Sequence, residues 1–125
     1  MPTTATGCLT RLSKICLAFP EAMRRDSSGH AAFLVRKRIF AYFLNDHHGD
    51  GIVSVAVKAL PGENQSLASA QPERFYLPAY IGPRGWIALR LDRGTIDWEE
   101  VRELVTLSYR LIAPKTLVKQ IQGTK

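Results

Sequence analysis

The chain has 125 residues, of which 46% are hydrophobic and 22% are charged, and its formal net charge is +6 at pH 7. This composition is typical of a globular protein and excludes a fibrous or disordered chain, and the length suits a single domain over residues 1–125. The uncharged runs are far shorter than the roughly 20 apolar residues of a membrane-spanning helix, and the first residues lack the pattern of a secretory signal, so a cytoplasmic protein with no membrane partner is expected.

The positive charge is concentrated near the beginning of the chain. The first 40 residues hold seven Lys or Arg against Glu21 and Asp26, a balance of +5, whereas the remaining 85 residues carry ten basic and nine acidic groups, a balance of +1. The seven basic residues are Arg11, Lys14, Arg24, Arg25, Arg36, Lys37 and Arg38. Such a field can attract nucleic acid or another acidic partner, and it can equally serve solubility alone.

In the first half, hydrophobic periodicity predicts one helix followed by three strands. Apolar residues recur at steps of three and four up to Phe19, which predicts a helix over 7–19 that Pro20 ends. Alternation of period two then predicts a hairpin over 31–44 whose tip is the basic turn 36–38. A polar reversal at 45–51 leads into a third strand over 52–58.

In the second half, the pattern predicts a short helix over 63–70, strands over 75–77 and 86–92, and two final helices. The loop 78–85 contains two prolines and two glycines and is expected to hold one shape. Asp97 is the predicted N-cap of the long helix, with Glu100 completing a capping box, and Pro114 is predicted to begin the last helix.

These elements follow the order α-β-β-β-α-β-β-α-α. Short connections between consecutive strands predict antiparallel pairing. The expected architecture is therefore a two-layer α+β fold, with a sheet of about five strands and the helices on one face.

Metal and catalytic motifs receive little support from the sequence. His47 and His48, with Asp46 and Asp50, resemble metal ligands, but neighbouring residues in a turn point apart, so solvated turn residues are the preferred interpretation. The chain has no Gly-x-Ser-x-Gly elbow, no Walker loop and no GxGxxG motif, because the glycines at 82 and 85 flank a proline and lead into a strand. A non-enzymatic protein without metal or cofactor is expected.

The basic hairpin turn is the main functional indication. Arg24, Arg25, Arg36, Lys37 and Arg38 are the candidate phosphate-contacting residues, because a positively charged hairpin tip can lie along a nucleic-acid backbone. Five aromatic residues could add base stacking if they are exposed, although their alternation within strands favours a core role. They are Tyr42, Phe43, Tyr76, Tyr80 and Trp86.

From about Phe19 to Leu117 the chain resembles the MmcQ/YjbR family of small bacterial proteins. The resemblance rests on short motifs, which include Phe19-Pro20-Glu21, Gly29-His30 leading to Phe33, His47 to Gly51, Pro72 to Phe75, Pro78 to Gly82, Gly85-Trp86, Asp97 to Val101, and Ser108 to Leu111. Ala79 stands where the family often has a second proline. The resemblance implies a secretion-chaperone-like or frataxin-like fold and a double-wing DNA-binding role.

Two further functions stay open beside nucleic-acid binding. One is a protein-interaction or chaperone-like module that uses an exposed sheet face or edge. The other is small-molecule binding in a pocket near His30, Lys58, Tyr80 and Trp86, which rests on the polar residues that recur in the family. The oligomeric state is not predicted.

Overall fold

The structure is a computed structural model that describes residues 5–46 and 49–122. Over these residues the chain forms four α-helices and six β-strands. The elements are α1 (Ala5–Leu17), β1 (Ala22–Ser27), β2 (His30–Val35), β3 (Arg38–Asn45), β4 (Val53–Lys58), α2 (Glu63–Ala70), β5 (Phe75–Tyr76), a 3-10 turn (Gly82–Arg84), β6 (Trp86–Arg90), α3 (Trp98–Ile112) and α4 (Lys115–Gln122).

The strands form an antiparallel sheet in the order β1-β2-β3-β4-β6-β5. The first four strands are sequential neighbours, and β6 then pairs with β4 while β5 takes the outer edge. This confirms the predicted α+β fold with antiparallel pairing, and the sheet has six strands where about five were expected.

The strand that sequence patterning missed is β1. Its six residues pair with β2 along its whole length, from Ala22 opposite Val35 to Ser27 opposite His30. All but the first of them are exposed, so the segment shows no apolar alternation. An edge strand with charged side chains is a usual way to prevent edge-to-edge aggregation, and it leaves little hydrophobic signal in the sequence.

Both amino-terminal hairpins turn through two residues with positive φ. Ser28 and Gly29 have φ of 48° and 85°, and Arg36 and Lys37 have φ of 49° and 69°. Two consecutive positive φ values match the twist of the flanking strands, which is why such turns are favoured in tight hairpins. The turn predicted over 36–38 is therefore a two-residue turn of Arg36 and Lys37, neither of which is glycine, and Arg38 begins β3.

The core lies between one face of the sheet and the helices. Residues from all four helices pack in this cluster, which confirms that the helices cover one face. At its centre, Tyr109 stacks on Phe19 at 4.8 Å between ring centroids and meets the edge of Phe40 at 5.2 Å. The Tyr109 hydroxyl donates to the Pro20 carbonyl at 2.7 Å. The fully buried Tyr109 therefore connects α3 to the short segment between α1 and β1.

A buried serine of α3 joins two strands where their pairing ends. The Ser108 hydroxyl donates to the Phe40 carbonyl at 2.6 Å and accepts from the Lys58 backbone N-H at 2.9 Å. The last paired residues at this end of β3 and β4 are Ala41 and Val57. The hydroxyl thus replaces a ladder hydrogen bond and satisfies two backbone groups that the strands leave open.

The amino terminus of α3 is capped partly as predicted. The Asp97 carboxylate accepts from the backbone N-H groups of Glu99 and Glu100, at 3.1 and 3.2 Å. Glu100 does not return the bond of a capping box, because its carboxylate forms an ion pair with Arg74. That pairing depends on a residue 26 positions away and has no local sequence signal.

Both cysteines are buried and unpaired. Burial raises the pKa of the Cys16 thiol, and burial together with the charge of Asp92 raises that of Cys8. No helix within residues 5–46 and 49–122 is both long and apolar enough to cross a membrane.

Candidate functional site

Four basic side chains from three separate segments surround a cleft of about 410 Å³ at one end of the sheet. The cleft lies where β3 begins, β4 ends and β6 begins, with the carboxyl end of α3 beside it. We call it the basic cleft and define it by Lys37, Arg38, Lys58, Arg84, Tyr42 and Trp86, with aliphatic side chains of Ile39, Ile81, Leu111 and Ile112 completing the wall. None of the described residues that line it is acidic.

The hairpin between β2 and β3 places the first two cations. Lys37 is the second residue of the two-residue turn, and its side chain is exposed. Arg38 begins β3, and its guanidinium donates to the Ile112 carbonyl at 3.3 Å, one of the last carbonyls of α3. Because cations favour the carboxyl end of a helix, this contact anchors the hairpin against α3.

The other two cations come from the end of β4 and from the loop before β6. Gly85 has φ of +94°, and a Cβ atom there would lie 3.4 Å from the Lys58 Nζ atom. That distance is an ordinary contact, so the positive φ is what favours glycine at this position. The Lys58 ammonium donates a hydrogen bond to the Arg84 carbonyl. The 3-10 turn that carries Arg84 therefore lies directly over the end of β4.

A buried asparagine of α2 holds this loop in place. The Asn64 side-chain amide donates to the carbonyls of Gly82 and Trp86, at 2.9 and 3.2 Å. Asn64 is 4% exposed, so both bonds are shielded from water. The rigid loop predicted from its glycines and prolines is thus held by α2 as well as by its own backbone.

Two aromatic rings form the floor of the cleft on the sheet face opposite the helices. Tyr42 and Trp86 lie 5.4 Å apart between ring centroids, tilted by 58°. Trp86 is only 8% exposed and packs in a small second cluster with Leu44, Ala56 and Ala88. The floor is therefore largely buried, as expected from strand alternation, and Tyr42 is the more accessible of the two rings.

The five cations predicted to contact phosphate lie in different surroundings. Arg24 pairs with Asp26 at 2.6 Å and donates to the Ser13 hydroxyl, and Arg36 pairs with Glu21 at 2.6 Å. Hydrogen bonds from these arginines hold the pKa of both carboxyl groups below the usual range.

The other three predicted cations are exposed. Arg25 lies on β1, opposite Ala32 of β2. Lys37 and Arg38 are the two that line the basic cleft. The early positive charge therefore does not form one continuous unpaired patch.

Arg11 and Lys14 contribute to another concave surface. With Arg102 they line a cleft of about 450 Å³ between α1, α3 and α4. The Arg11 guanidinium lies over the Trp98 ring at 5.4 Å, and Arg102 lies 3.6 Å from the Glu99 carboxylate. This helix-layer cleft shares no lining residue with the basic cleft.

The predicted small-molecule pocket is brought together only in part. Lys58 and Trp86 are direct partners in the β4–β6 ladder and lie in the basic cleft. His30 lies at the other end of the sheet, on the order of 15 Å away along the strands, where its Nδ1 accepts from the Asn45 N-H at 3.1 Å. Tyr80 is 78% exposed with φ of 69° and is not among the residues that line the cleft.

Arg84 was not among the predicted site residues. Its position over β4 results from the Lys58 and Asn64 contacts, which join residues 26 and 18 positions apart in sequence. The predicted turn at 45–51 includes His47 and His48, which lie outside the described residues. Within the part of the chain that the structure describes, no group of three or more His, Cys, Asp or Glu could hold a metal ion.

The fold and cleft define a small two-layer α+β protein with a basic cleft at one end of its sheet. The YjbR family model matches residues 17–111, which is more than half of the chain, so the chain belongs to the YjbR family. This confirms the resemblance found in the sequence motifs.

A solved structure shows the same fold. The crystal structure of Deinococcus radiodurans protein DR2400, described as a DUF419 domain, superposes with a TM-score of 0.68 at 23% sequence identity. The match covers 87% of this chain and 80% of that chain. At this identity the similarity shows the fold alone. A search of curated proteins found no match.

Proposed function

We propose that this protein binds nucleic acid non-enzymatically, with Lys37, Arg38, Lys58 and Arg84 of the basic cleft contacting backbone phosphates. The observation that carries the proposal is the convergence of these four cations on a concave surface whose described lining contains no carboxylate. Lys37 and Arg38 belong to the basic tip of the β2–β3 hairpin. In the proposed complex this hairpin tip is the wing that lies along the nucleic-acid backbone. Phosphate contacts of this kind give affinity without sequence specificity.

Arg24 and Arg36 should contribute less to phosphate binding than the four cations of the basic cleft, because each already forms an ion pair with a carboxylate. A guanidinium that already forms two hydrogen bonds to a carboxylate must lose them before it can contact phosphate. Arg25 is exposed on the edge strand and would add a contact outside the cleft. The two buried, unpaired cysteines support a cytoplasmic location, because disulfides are rare in that compartment.

The experiment is the salt dependence of binding to labelled DNA and RNA oligonucleotides, both single-stranded and duplex, followed by fluorescence anisotropy. Four phosphate contacts predict a slope of log K against log salt of about −2.8 for single strands to about −3.6 for duplex DNA. Affinity should then fall by roughly 50- to 150-fold between about 50 and about 200 mM salt. No binding to any of these oligonucleotides at the lowest salt would refute the proposal.

A pair of matched double variants distinguishes binding at the basic cleft from a general effect of the protein's net charge. K37Q/R84Q removes two cations of the cleft and should halve the slope, because each lost phosphate contact lowers it by about one. K14Q/R102Q removes two cations of the helix-layer cleft and should leave the slope nearly unchanged. Equal losses in the two variants would mean that binding follows net charge and does not use the basic cleft.

A second candidate function is the binding of a small anionic molecule in the same cleft. Its volume of about 410 Å³ lies within the range of small-molecule sites, and Tyr42 and Trp86 supply an aromatic floor. Titration with a nucleoside monophosphate, followed by the tryptophan fluorescence and by competition against the labelled oligonucleotide, tests it. Saturable monophosphate binding without any oligonucleotide binding would favour this second function.

A further inference from the structure

Tyr42 places an aromatic ring among the four cations of the basic cleft. Its chain neighbours Ala41 and Phe43 are buried in the core between the sheet and the helices, so strand alternation directs Tyr42 to the opposite face of the sheet. The ring is half-buried there and lines the cleft. Part of the aromatic surface is therefore accessible to a ligand in the cleft.

The surroundings of Tyr42 hold the ring without a large residue directly opposite it. Its cross-strand partners on β2 and β4 are Ala32 and Ala56, whose side chains are single methyl groups. Trp86, which is 8% exposed, packs against the ring at 5.4 Å between centroids. Because this contact already restricts the rotamers of Tyr42, a ligand that stacks on the ring loses less free energy to side-chain ordering.

The cations around the ring retain their charge and most of their donors. Lys37 and Arg84 are exposed. Arg38 donates to the Ile112 carbonyl, and Lys58 donates to the Arg84 carbonyl. A guanidinium has five N-H donors and an ammonium has three, so both groups keep further donors for a ligand. None of the four forms an ion pair with a carboxylate in the described part of the chain.

Four cations without carboxylate partners match a chain of phosphates better than a single phosphate group. A phosphate monoester carries a charge of about −1.5 to −2 at pH 7, so one mononucleotide leaves about half of the positive charge without a partner. Each phosphate of a nucleic-acid strand adds one negative charge, so several successive phosphates balance the cleft. The charge of the cleft therefore favours a strand over a mononucleotide.

Stacking on Tyr42 requires a base that is not stacked in a duplex. Inside a duplex both faces of a base are covered by its neighbours, and a protein ring reaches such a face only after unfavourable unstacking. A single strand offers its bases without that cost. A cationic groove that follows the backbone, together with an aromatic ring on which a base stacks, is the combination that binds single strands.

We propose that the basic cleft binds single-stranded nucleic acid in preference to duplex, with one base stacked on Tyr42 and the adjoining phosphates at the four cations. This inference rests on the proposed nucleic-acid function and specifies its ligand. Because every base has a π face, the stacked base adds affinity with little dependence on sequence.

The test compares three labelled DNA ligands of equal length by fluorescence anisotropy with the full-length protein, at one salt concentration. They are a single strand, a duplex, and a single strand of abasic nucleotides that keeps every phosphate and lacks the bases. The wild type should bind the single strand more tightly than the duplex. It should also bind the single strand about 5- to 150-fold more tightly than the abasic strand, the factor that stacking of one base supplies.

Three variants locate the stacked base. Y42L keeps an apolar side chain without a π face, so it should weaken single-strand binding about 5- to 150-fold and leave abasic-strand binding unchanged. Y42F keeps the ring and should restore the wild-type affinity. The matched control is Y76L. Tyr76 is half-buried and shares the sheet face of Tyr42, because the cross-strand partners Ala56 and Ala88 link the two tyrosines in one row.

Y76L should bind like the wild type, because Tyr76 does not line the cleft and lies three strands from Tyr42, about 14 Å away. Circular dichroism and thermal melts establish that each variant is folded before its binding is compared. Equal losses in Y42L and Y76L, or equal binding of the abasic and normal strands, would overturn the stacking.

The outcomes also separate this inference from the proposed function. Duplex binding as tight as single-strand binding overturns the preference for single strands, while the phosphate contacts of the cleft stand if K37Q/R84Q still lowers the salt slope. A nucleoside monophosphate that binds as tightly as the single strand overturns the preference for a strand. No binding to any oligonucleotide at the lowest salt refutes the proposed function, and this inference with it.

Discussion

Replacement of Ser108 by Ala tests the hydroxyl bridge between β3 and β4. The change removes one oxygen atom from a fully buried position and leaves the Phe40 carbonyl and the Lys58 N-H without their partner. A buried backbone group without a hydrogen bond costs about 1–3 kcal/mol. Since Lys58 is half-buried and water can reach its end of the bridge, we expect a total loss of about 2–4 kcal/mol in the free energy of unfolding.

Urea denaturation followed by far-UV circular dichroism measures this loss, and thermal melting should show a fall in Tm of roughly 10 °C. The matched control is S69A, which makes the same change at an exposed position of α2. Alanine favours a helix over serine by a few tenths of a kcal/mol at both sites, so this contribution cancels in the comparison. A loss in S108A no larger than that in S69A would refute the structural role of the bridge.

Asn64→Ala should release the loop before β6, because it removes the hydrogen bonds to the Gly82 and Trp86 carbonyls. The free energy of unfolding should fall by about 1–3 kcal/mol, and the environment of Trp86 should change. Tryptophan fluorescence and hydrogen exchange identical to those of the wild type would contradict this. Cys8 and Cys16 should resist a thiol reagent at neutral pH in the folded protein and both react after denaturation, because burial raises their pKa; rapid reaction of the native protein would be the contrary result.

Burial alone would raise the pKa of the Asp92 carboxyl group, but hydrogen bonding and charge from Arg90 hold it below its ordinary value. The ion pair therefore stabilises the fold above about pH 4 and is lost as pH falls through the lowered folded-state pKa. D92N should cost about 1 kcal/mol or less at pH 7, because the pair is partly exposed. The difference between D92N and wild type should shrink as pH falls below about 4 in acid-titrated urea melts, because the lowered folded-state pKa lies below that of the unfolded chain. A constant difference across that range would contradict the assignment.

The elements with strong local patterns were predicted closely. The helix over 63–70 coincides with α2, and the long helix begins directly after its predicted cap at Asp97. The prolines and glycine on either side of α2, and the hydrophobic period and capping residue of α3, lie within a few positions of the elements they define, so sequence alone carries the information. β1 was missed because an exposed edge strand has no buried face to produce alternation.

The candidate site was predicted only where it is local. Lys37 lies in the turn between β2 and β3 and Arg38 directly follows it, and this hairpin was predicted from its charge and flanking alternation. Lys58 and Arg84 come close to these two residues because of the strand register and because Asn64 holds the loop before β6. Strand register and loop contact both join segments that are distant in sequence. The pairing of Arg36 with Glu21 likewise depends on the β1–β2 hairpin, whereas Arg24 and Asp26 pair within β1, the strand that the sequence pattern did not predict.

The sequence by itself determined the class of fold, the family and the excess of positive charge, because periodicity, turn residues and motifs are written in consecutive positions. Tertiary structure decided which of those charges are available. It pairs Arg24 and Arg36 with carboxylates, while it gathers Lys37, Arg38, Lys58 and Arg84 around one cleft. The physical reason is that ion pairs and clefts depend on distances of a few ångströms between side chains, and the folded backbone sets those distances.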